Sequence, residues 1–471
     1  MEINEAREDR QKPILNKEGS SVLSRLPETQ LYLEGSNLNI KGDKFYESAN
    51  EKLDNFIRLA KTVDNEFVLG LSKFLADNGL KLSPVVLLSV LANKNYSFNG
   101  MNLNYIFNTP QRIAEAVALS KKVKLNNSFK KHILKEALEN ISEFSLKKNQ
   151  LKARKIKTRD LIKLLRPKPK DEKIAKLYKD IIEGKAKAED TFVRIKSNKN
   201  LSDADKLKYL TENINKIPLN ELIRNLRFIT DKADFVNDFE LQKKVMERLQ
   251  SIDDFRFLNI FDLIETAIHV PKLEKMLFTI VKSFVDKVKA NFEYDKDATI
   301  LFDLSGSMGG EGMEKGFKYL VLLSLIFDNA KFRVFSDVLY PVTHTNPNIL
   351  NWIREGRLAE VYPLFKAISG TALIQSVNDL LAEDPALKTL VVISDEVSWK
   401  EESDLIYLIE QVNLKLKDRK VILINPTVYA GTVFRDNIMA FASLTSAILY
   451  NVFMFINPNK FIQTIREYGR K

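Results

Sequence analysis

Asp303-Leu304-Ser305-Gly306-Ser307 sets three oxygen-bearing side chains at alternate positions, directly after the apolar run Ala298 to Phe302. A short apolar run of this kind reads as a buried strand, and open parallel sheets bind ligands beyond the carboxyl ends of their strands. Two later segments bring more oxygen to corresponding places. Ser369-Gly370-Thr371 is a loop ahead of a helical pattern, and Val391-Val392-Ile393-Ser394-Asp395 is a strand running into a carboxylate. Asp303, Ser305, Ser307, Thr371 and Asp395 therefore make a hard, all-oxygen donor set. Magnesium prefers octahedral oxygen coordination and keeps several waters, so Mg2+ or another divalent cation suits two carboxylates with neutral hydroxyls. Alone, Asp-x-Ser-x-Ser reads as a capped turn; the strand context and the two later segments turn it toward an ion site. No nucleophile stands beside a base, so the expectation is a binding protein, not an enzyme.

A second kind of chemistry lies upstream. Between Lys121 and Lys199 there are 25 Lys+Arg against 10 Asp+Glu, a net of +15, while the whole chain carries 73 against 62, a net of +11. The rest is therefore slightly acidic, at −4. The candidate nucleic-acid-binding residues are Lys152, Arg154, Lys155, Lys157, Arg159, Lys163, Arg166, Lys168 and Lys170. Thr158 is a candidate helix cap, with Leu161, Ile162, Leu164 and Leu165 as the buried stripe. Arg159, Lys163 and Arg166 then fall four and three residues apart on the opposite face, and Pro167 and Pro169 end the helix. Such a row of cations can track a phosphate backbone. A solvated helix face with a basic loop is the other reading. Base recognition is not legible, because phosphate contacts carry no sequence information.

Composition narrows the classes further. The chain has 471 residues, 45% of them apolar, no cysteine and three histidines (His132, His269, His344) far apart in sequence. That excludes disulfide frameworks, cysteine-type zinc sites and thiol nucleophiles, and it fits a cytoplasmic protein. Met1 to Gly19 is charged and has no secretory apolar stretch. Ile438 to Ile456 has the length of a membrane span but contains Ser443, Thr445, Ser446 and Asn451, and reads as a buried helix running into a buried strand.

These residues need elements to hold them. Residues 1–25 read as a flexible segment and 26–292 as helical. Helix starts are expected at Ser83-Pro84, Thr109-Pro110 and Ser128, with a stop at Asn78-Gly79. Starts recur every 20–30 residues without a strict repeat, as in stacked helix pairs or in a compact bundle. In 293–471, apolar runs at Ala298 to Phe302, Phe332 to Phe335, Thr389 to Ser394 and Val421 to Ile424 alternate with helical patterns. This predicts a doubly wound parallel sheet.

The cation constellation resembles the metal-ion-dependent adhesion site of von Willebrand factor A domains. By that resemblance Ser305, Ser307 and Thr371 ligate the ion, and Asp303 and Asp395 hold it, partly through water. The whole chain resembles the TROVE-domain family of the Ro 60 kDa autoantigen. Pro218-Leu219-Asn220-Glu221-Leu222-Ile223-Arg224-Asn225-Leu226-Arg227 is similar to the family's P-L-x-x-L-L-R-N-L segment. Tyr32 to Ile40 is similar to its glycine-containing opening strand, and Asp160 to Pro169 to its D-L-L-R-L-x-x-x-K-P segment. Val334-Phe335-Ser336-Asp337 and Ser369-Gly370-Thr371 also fit. The family carries histidine where Arg166 stands and commonly glycine where Ser369 stands.

The resemblance implies a multidomain α plus α/β protein: a ring of HEAT-like helical repeats (the TROVE domain, 26–292) closed by the A domain (293–471). It further implies a ribonucleoprotein component in RNA quality control. Small noncoding Y-type RNAs would lie on a basic outer surface and single-stranded ends of misfolded RNAs in the hole. An exoribonuclease is a possible protein partner through the A domain; DNA and membrane are not implied. A different class of function also fits: a cation-dependent adhesion or assembly component whose lysines serve solubility alone. A third is an accessory subunit of an ATP-driven machine. The chain has no G-x-x-x-x-G-K-[ST] loop and would not be the motor itself.

Overall fold

The computed structural model describes residues 26–37, 49–148, 156–186, 195, 198–215, 217, 219–232, 238–250, 258–292, 296–340, 348–368, 370–395, 419–427, 432–435, 438–441 and 447–470. Strand β1 (Thr299–Asp303) is buried along its whole length. A strand with no solvent face belongs inside a sheet covered on both sides. It pairs in parallel with β2 (Lys331–Phe335) on one side and β3 (Thr389–Ile393) on the other. Then follow β4 (Lys420–Ile424), β6 (Ile438–Phe441) and β5 (Thr432–Arg435), giving the order β2-β1-β3-β4-β6-β5. Five strands are parallel, and β5 runs antiparallel at the edge beyond β6.

Side chains alternate across this sheet. Leu301, Leu390, Val392, Val421 and Leu423 share a core with Leu373, Val377 and Leu380 of the helix Leu373–Glu383. Phe302 points the other way, against Gly316 of the helix Glu311–Ile326, where an added Cβ would lie 3.0 Å from the phenyl ring. Helices thus cover both faces, as the alternation of apolar runs predicts.

The chain divides into two compact units, Met1–Lys52 with Pro218–Thr464, and Leu53–Ile217 with Ile465–Lys471. The first holds the sheet and the helices Pro27–Asn37, Leu219–Lys232, Phe239–Gln250, Ile260–His269 and Pro271–Lys289. The second is helical among the described residues. Asn65–Asp77 packs on Leu82–Asn93, which packs on Pro110–Leu119, then Thr158–Leu165, then Glu172–Glu183. The fold is therefore an α part combined with an α/β part.

Several local expectations change. The opening strand at Tyr32 is a helix, Pro27–Asn37, in which Ser36 donates to the Tyr32 carbonyl at 2.9 Å and Tyr32 packs on Phe461 at 4.7 Å. The strand is implied by the family resemblance alone, not by the residues themselves; residues 38–40 lie outside the described residues. Thr109 does cap its helix, with Pro110 first inside. Asn78 and left-handed Gly79 (φ 81°) do end theirs. Leu82–Asn93 begins before Ser83, however, and at Ser128 the cap is Asn126, whose side chain accepts from the Phe129 amide at 2.7 Å. The Ile438–Ile456 segment is a strand followed by the helix Ala447–Ile456, the reverse of the expected order. Among the described residues no helix is long and apolar enough to cross a membrane.

Within the second unit the chain terminus is clamped to the helix Asn65–Asp77. A Cβ on Gly70 would lie 2.0 Å from the Ile465 carbonyl oxygen, so backbone meets backbone here. Asp64 accepts from the Phe67 amide and from Arg466, each at 2.8 Å. Burial pushes the Asp64 carboxyl up, but that amide and the Arg466 guanidinium outweigh it and hold the group below its ordinary value of 3.8. Asp64→Ala removes a helix cap and should cost about 1 kcal/mol, read as a lower denaturant midpoint. A depressed carboxylate stabilises above its ordinary value and loses this as pH falls through the depressed one. The gap between wild type and variant should accordingly narrow below pH 3.8; a gap constant into acid would show that ionised Asp64 is not its source.

Candidate functional site

Asp303 is the last residue of β1 and has no exposed surface. Burying a carboxylate is costly unless its oxygens are bonded, and both are. Oδ1 accepts from the Ser305 amide at 2.7 Å, and Oδ2 accepts from the Ser394 hydroxyl at 2.5 Å. Burial pushes the Asp303 carboxyl above its ordinary value; the bonds from Ser394 and Ser305 act against this, and nearby Asp395 adds to it.

From there the oxygens step toward solvent. Ser305 Oγ lies 3.0 Å from Ser307 Oγ, and Ser307 Oγ donates to Asp395 Oδ1 at 3.0 Å. Ser305 is buried, Asp395 partly buried and Ser307 exposed, so the row opens at the crest of the sheet. Its position follows from topology. The connection from β1 goes to β2 on one side, and the next returns to β3 on the other, so Asp303 and Asp395 straddle the point where strand order reverses.

The donor set fits a small hard cation. Neighbouring ligands of octahedral magnesium, at about 2.1 Å from the ion, lie about 3.0 Å apart, and both oxygen pairs in this row have that spacing. Ser305, Ser307 and Asp395 could supply ligand oxygens, with Asp303 behind them. Among the described residues no three His, Asp or Glu side chains converge, so the crest combines carboxylates with hydroxyls.

Four of the five expected cation residues are joined by hydrogen bonds. The fifth, Thr371, sits in a loop tied to the same crest: the Ile368 amide donates to the Leu304 carbonyl at 2.5 Å and the Ala372 amide to the Ser336 carbonyl at 2.7 Å. Gly370 (φ 88°) lies against Asp337, where a Cβ would meet the aspartate Cβ at 2.8 Å. Among the described residues no hydrogen bond links Thr371 to the other four. Ser369 lies outside the described residues.

Two site residues escape sequence reasoning. Ser394 clamps Asp303. Asn425, fully buried beyond β4, donates to the Asp395 carbonyl at 3.2 Å and accepts from the Thr427 amide and hydroxyl, each at 2.9 Å. The available signal was a polar residue ending each apolar run: Asp303, Ser336, Ser394 and Asn425.

The basic site is built differently. The helix Thr158–Leu165 buries Thr158, Leu161, Ile162 and Leu165, and exposes Arg159 and Lys163. Thr158 is inside the helix, not its cap; the chain enters at Lys157, whose amide donates to Asp160 Oδ2 at 2.9 Å. Leu164 is 57% exposed, contrary to the expected stripe. Arg166 ends the helix in the left-handed region (φ 48°) and is exposed. Pro167 is buried, the Lys168 amide donates to Glu139 at 2.6 Å, and Lys168 and Lys170 face solvent. Asp171 then caps the helix Glu172–Glu183. Arg159 pairs with Asp160 at 3.6 Å, whereas among the described residues no carboxylate pairs with Lys163, Arg166, Lys168 or Lys170. Lys152, Arg154 and Lys155 lie outside the described residues.

No protein-family model matches the chain, and no curated protein matches it.

Ser394→Ala strips the bond from Asp303 Oδ2 and leaves a buried acceptor bare. Stability should fall by about 1–3 kcal/mol, measured by denaturant unfolding; an unchanged midpoint would mean that this bond does not hold the carboxylate.

Proposed function

We propose that this protein binds RNA through the exposed cations of residues 157–170 and carries a divalent cation at the sheet crest as a separate, protein-directed site. One observation carries the RNA reading: Lys163, Arg166, Lys168 and Lys170 face solvent with no carboxylate partner among the described residues, on backbone fixed by a buried helix face and by Glu139. Cations on a rigid element neutralise successive phosphates and release counterions. The resemblance to the TROVE family extends this to a ring of HEAT-like repeats closed by the A domain. It would scaffold small noncoding RNAs on its basic surface and hold single-stranded ends of misfolded RNAs in its hole.

The second reading concerns the crest. A bound magnesium ion would supply an open coordination position able to take an oxygen ligand from a partner protein. Val338 and Ile368 are 52% and 41% exposed. Ile368 is bonded to the Leu304 backbone, and Val338 follows Asp337, which touches Gly370. Apolar side chains standing near polar crest residues favour a protein partner here.

Reversing Arg159, Lys163, Arg166 and Lys168 to Glu should weaken RNA binding by well over tenfold. It should also flatten the salt dependence by about 3 in log–log slope, at about 0.7 per phosphate lost on a single strand. Filter binding across a salt series reads both, and an unchanged affinity would remove RNA from this surface. Asp303→Ala should abolish Mn2+ binding, followed by paramagnetic resonance, and leave RNA affinity within about twofold if the sites are independent. Loss of RNA binding with the fold intact would instead make the crest part of the RNA site.

A further inference from the structure

Within residues 121–199 the described aromatic rings are Phe129, Phe144 and Tyr178, and of these Phe144 alone is exposed, at 40%. It sits on the helix Glu143–Lys148, which is anchored by fully buried Leu146 and by the Ser142 hydroxyl, acceptor of the Ser145 amide at 3.2 Å. The ring is therefore held outward on a fixed element.

Its surroundings are cationic. Lys148 Nζ lies over one face of the ring, 5.7 Å from its centroid, which leaves the opposite face for stacking. The neighbouring acid, Glu143, is taken up by Lys147 at 2.8 Å and Lys173 at 2.6 Å, so it presents little free negative charge. Lys173 follows Lys170 by three residues, and Glu139 binds the Lys168 amide. These bonds lay the segment 168–173, in which Lys168, Lys170 and Lys173 stand with Asp171 and Glu172, beside the start of the Phe144 helix.

We infer that Phe144 is a stacking platform for an unpaired nucleobase of an RNA strand whose phosphates lie on Lys148, Lys168 and Lys170. The inference rests on the RNA reading and narrows it at the basic surface: the part of the bound RNA that lies there is an unpaired stretch, not a helical one. Cations alone hold single and double strands alike, whereas an exposed ring offers a face only to a base that has left its stack. Every base has such a face, so the site is tolerant of sequence. It selects single-stranded over duplex RNA.

The test compares a 12-nucleotide oligo(U) strand with a 12-base-pair RNA duplex on wild type, Phe144→Leu, Phe144→Trp and the Arg159/Lys163/Arg166/Lys168→Glu variant. Leucine keeps apolar bulk and removes the π face. The leucine variant should lose about fivefold to a hundredfold for the single strand and less than about twofold for the duplex. In Phe144→Trp the added indole should be quenched by the single strand, beyond any change from Trp352 and Trp399. Unchanged single-strand affinity in Phe144→Leu, with binding lost in the charge-reversed variant, overturns the platform and leaves the RNA reading standing. Equal loss for both RNAs assigns Phe144 to support of the fold and also overturns it. If no variant changes either affinity, both readings fall together.

Discussion

A buried carboxylate governs the α/β unit. Asp303 ends a strand that has no solvent face, and an ionised group there persists only with its oxygens occupied. One bond comes from the Ser305 amide two residues on, which fixes how the chain leaves β1. The other comes from Ser394, which ties β1 to β3 at the place where strand order reverses. The exit from β1 then determines where the Ser305 and Ser307 hydroxyls stand, and Ser307 in turn reaches Asp395. Asn425 secures the same aspartate from its backbone side. The crest is a chain of dependent bonds running from a buried origin to an exposed end. A change at the origin displaces every oxygen beyond it, whereas a change at Ser307 removes only the last step.

The basic face obeys the opposite rule. Its cations are exposed, in high dielectric, where pairwise interactions are weak and screened by salt. Placement of any one lysine matters little there; the number of cations on a common surface matters more. What the fold must supply is backbone that keeps them together, and it does so with buried Leu161, Ile162, Leu165 and Pro167 beneath and the Glu139 bond to the Lys168 amide. Precision at the crest and density on the basic face are what the proposed ion and the proposed polyanion would respectively require.

The parts legible in sequence are those written over short spans. The apolar runs of β1 to β4 are recognisable because each is continuous and ends in polar residues. Asp303, Ser305 and Ser307 are recognisable because their spacing lies in five residues. Ser394 and Asn425 were missed because their bonds join segments 91 and 30 residues apart, and a lone polar residue after a strand has many uses. Leu164 was misplaced for a geometric reason. In a helix of 100° per residue, Thr158, Leu161, Ile162 and Leu165 cluster on one side, and Leu164 falls at its margin. The strand expected at Tyr32 comes from the family resemblance and not from a pattern in residues 27–37, which form a helix.

Charge shows most clearly what composition conceals. A surface made basic for solubility alone would set its acids among its cations as i,i+4 pairs. Three acids of the stretch 121–199 do something else as well. Asp160 accepts the Lys157 amide, Asp171 the Ile174 amide, and Glu139, which also pairs with Lys135 four residues before it, the Lys168 amide; Glu143 keeps an i,i+4 pair with Lys147 and adds Lys173. The first three thus bond backbone N–H groups, at a helix start, a helix cap and a loop. The acids build the surface, and Lys163, Arg166, Lys168 and Lys170 keep their charge toward solvent. That division of labour, more than the net of +15, is what the proposal of a polyanion on this face rests on.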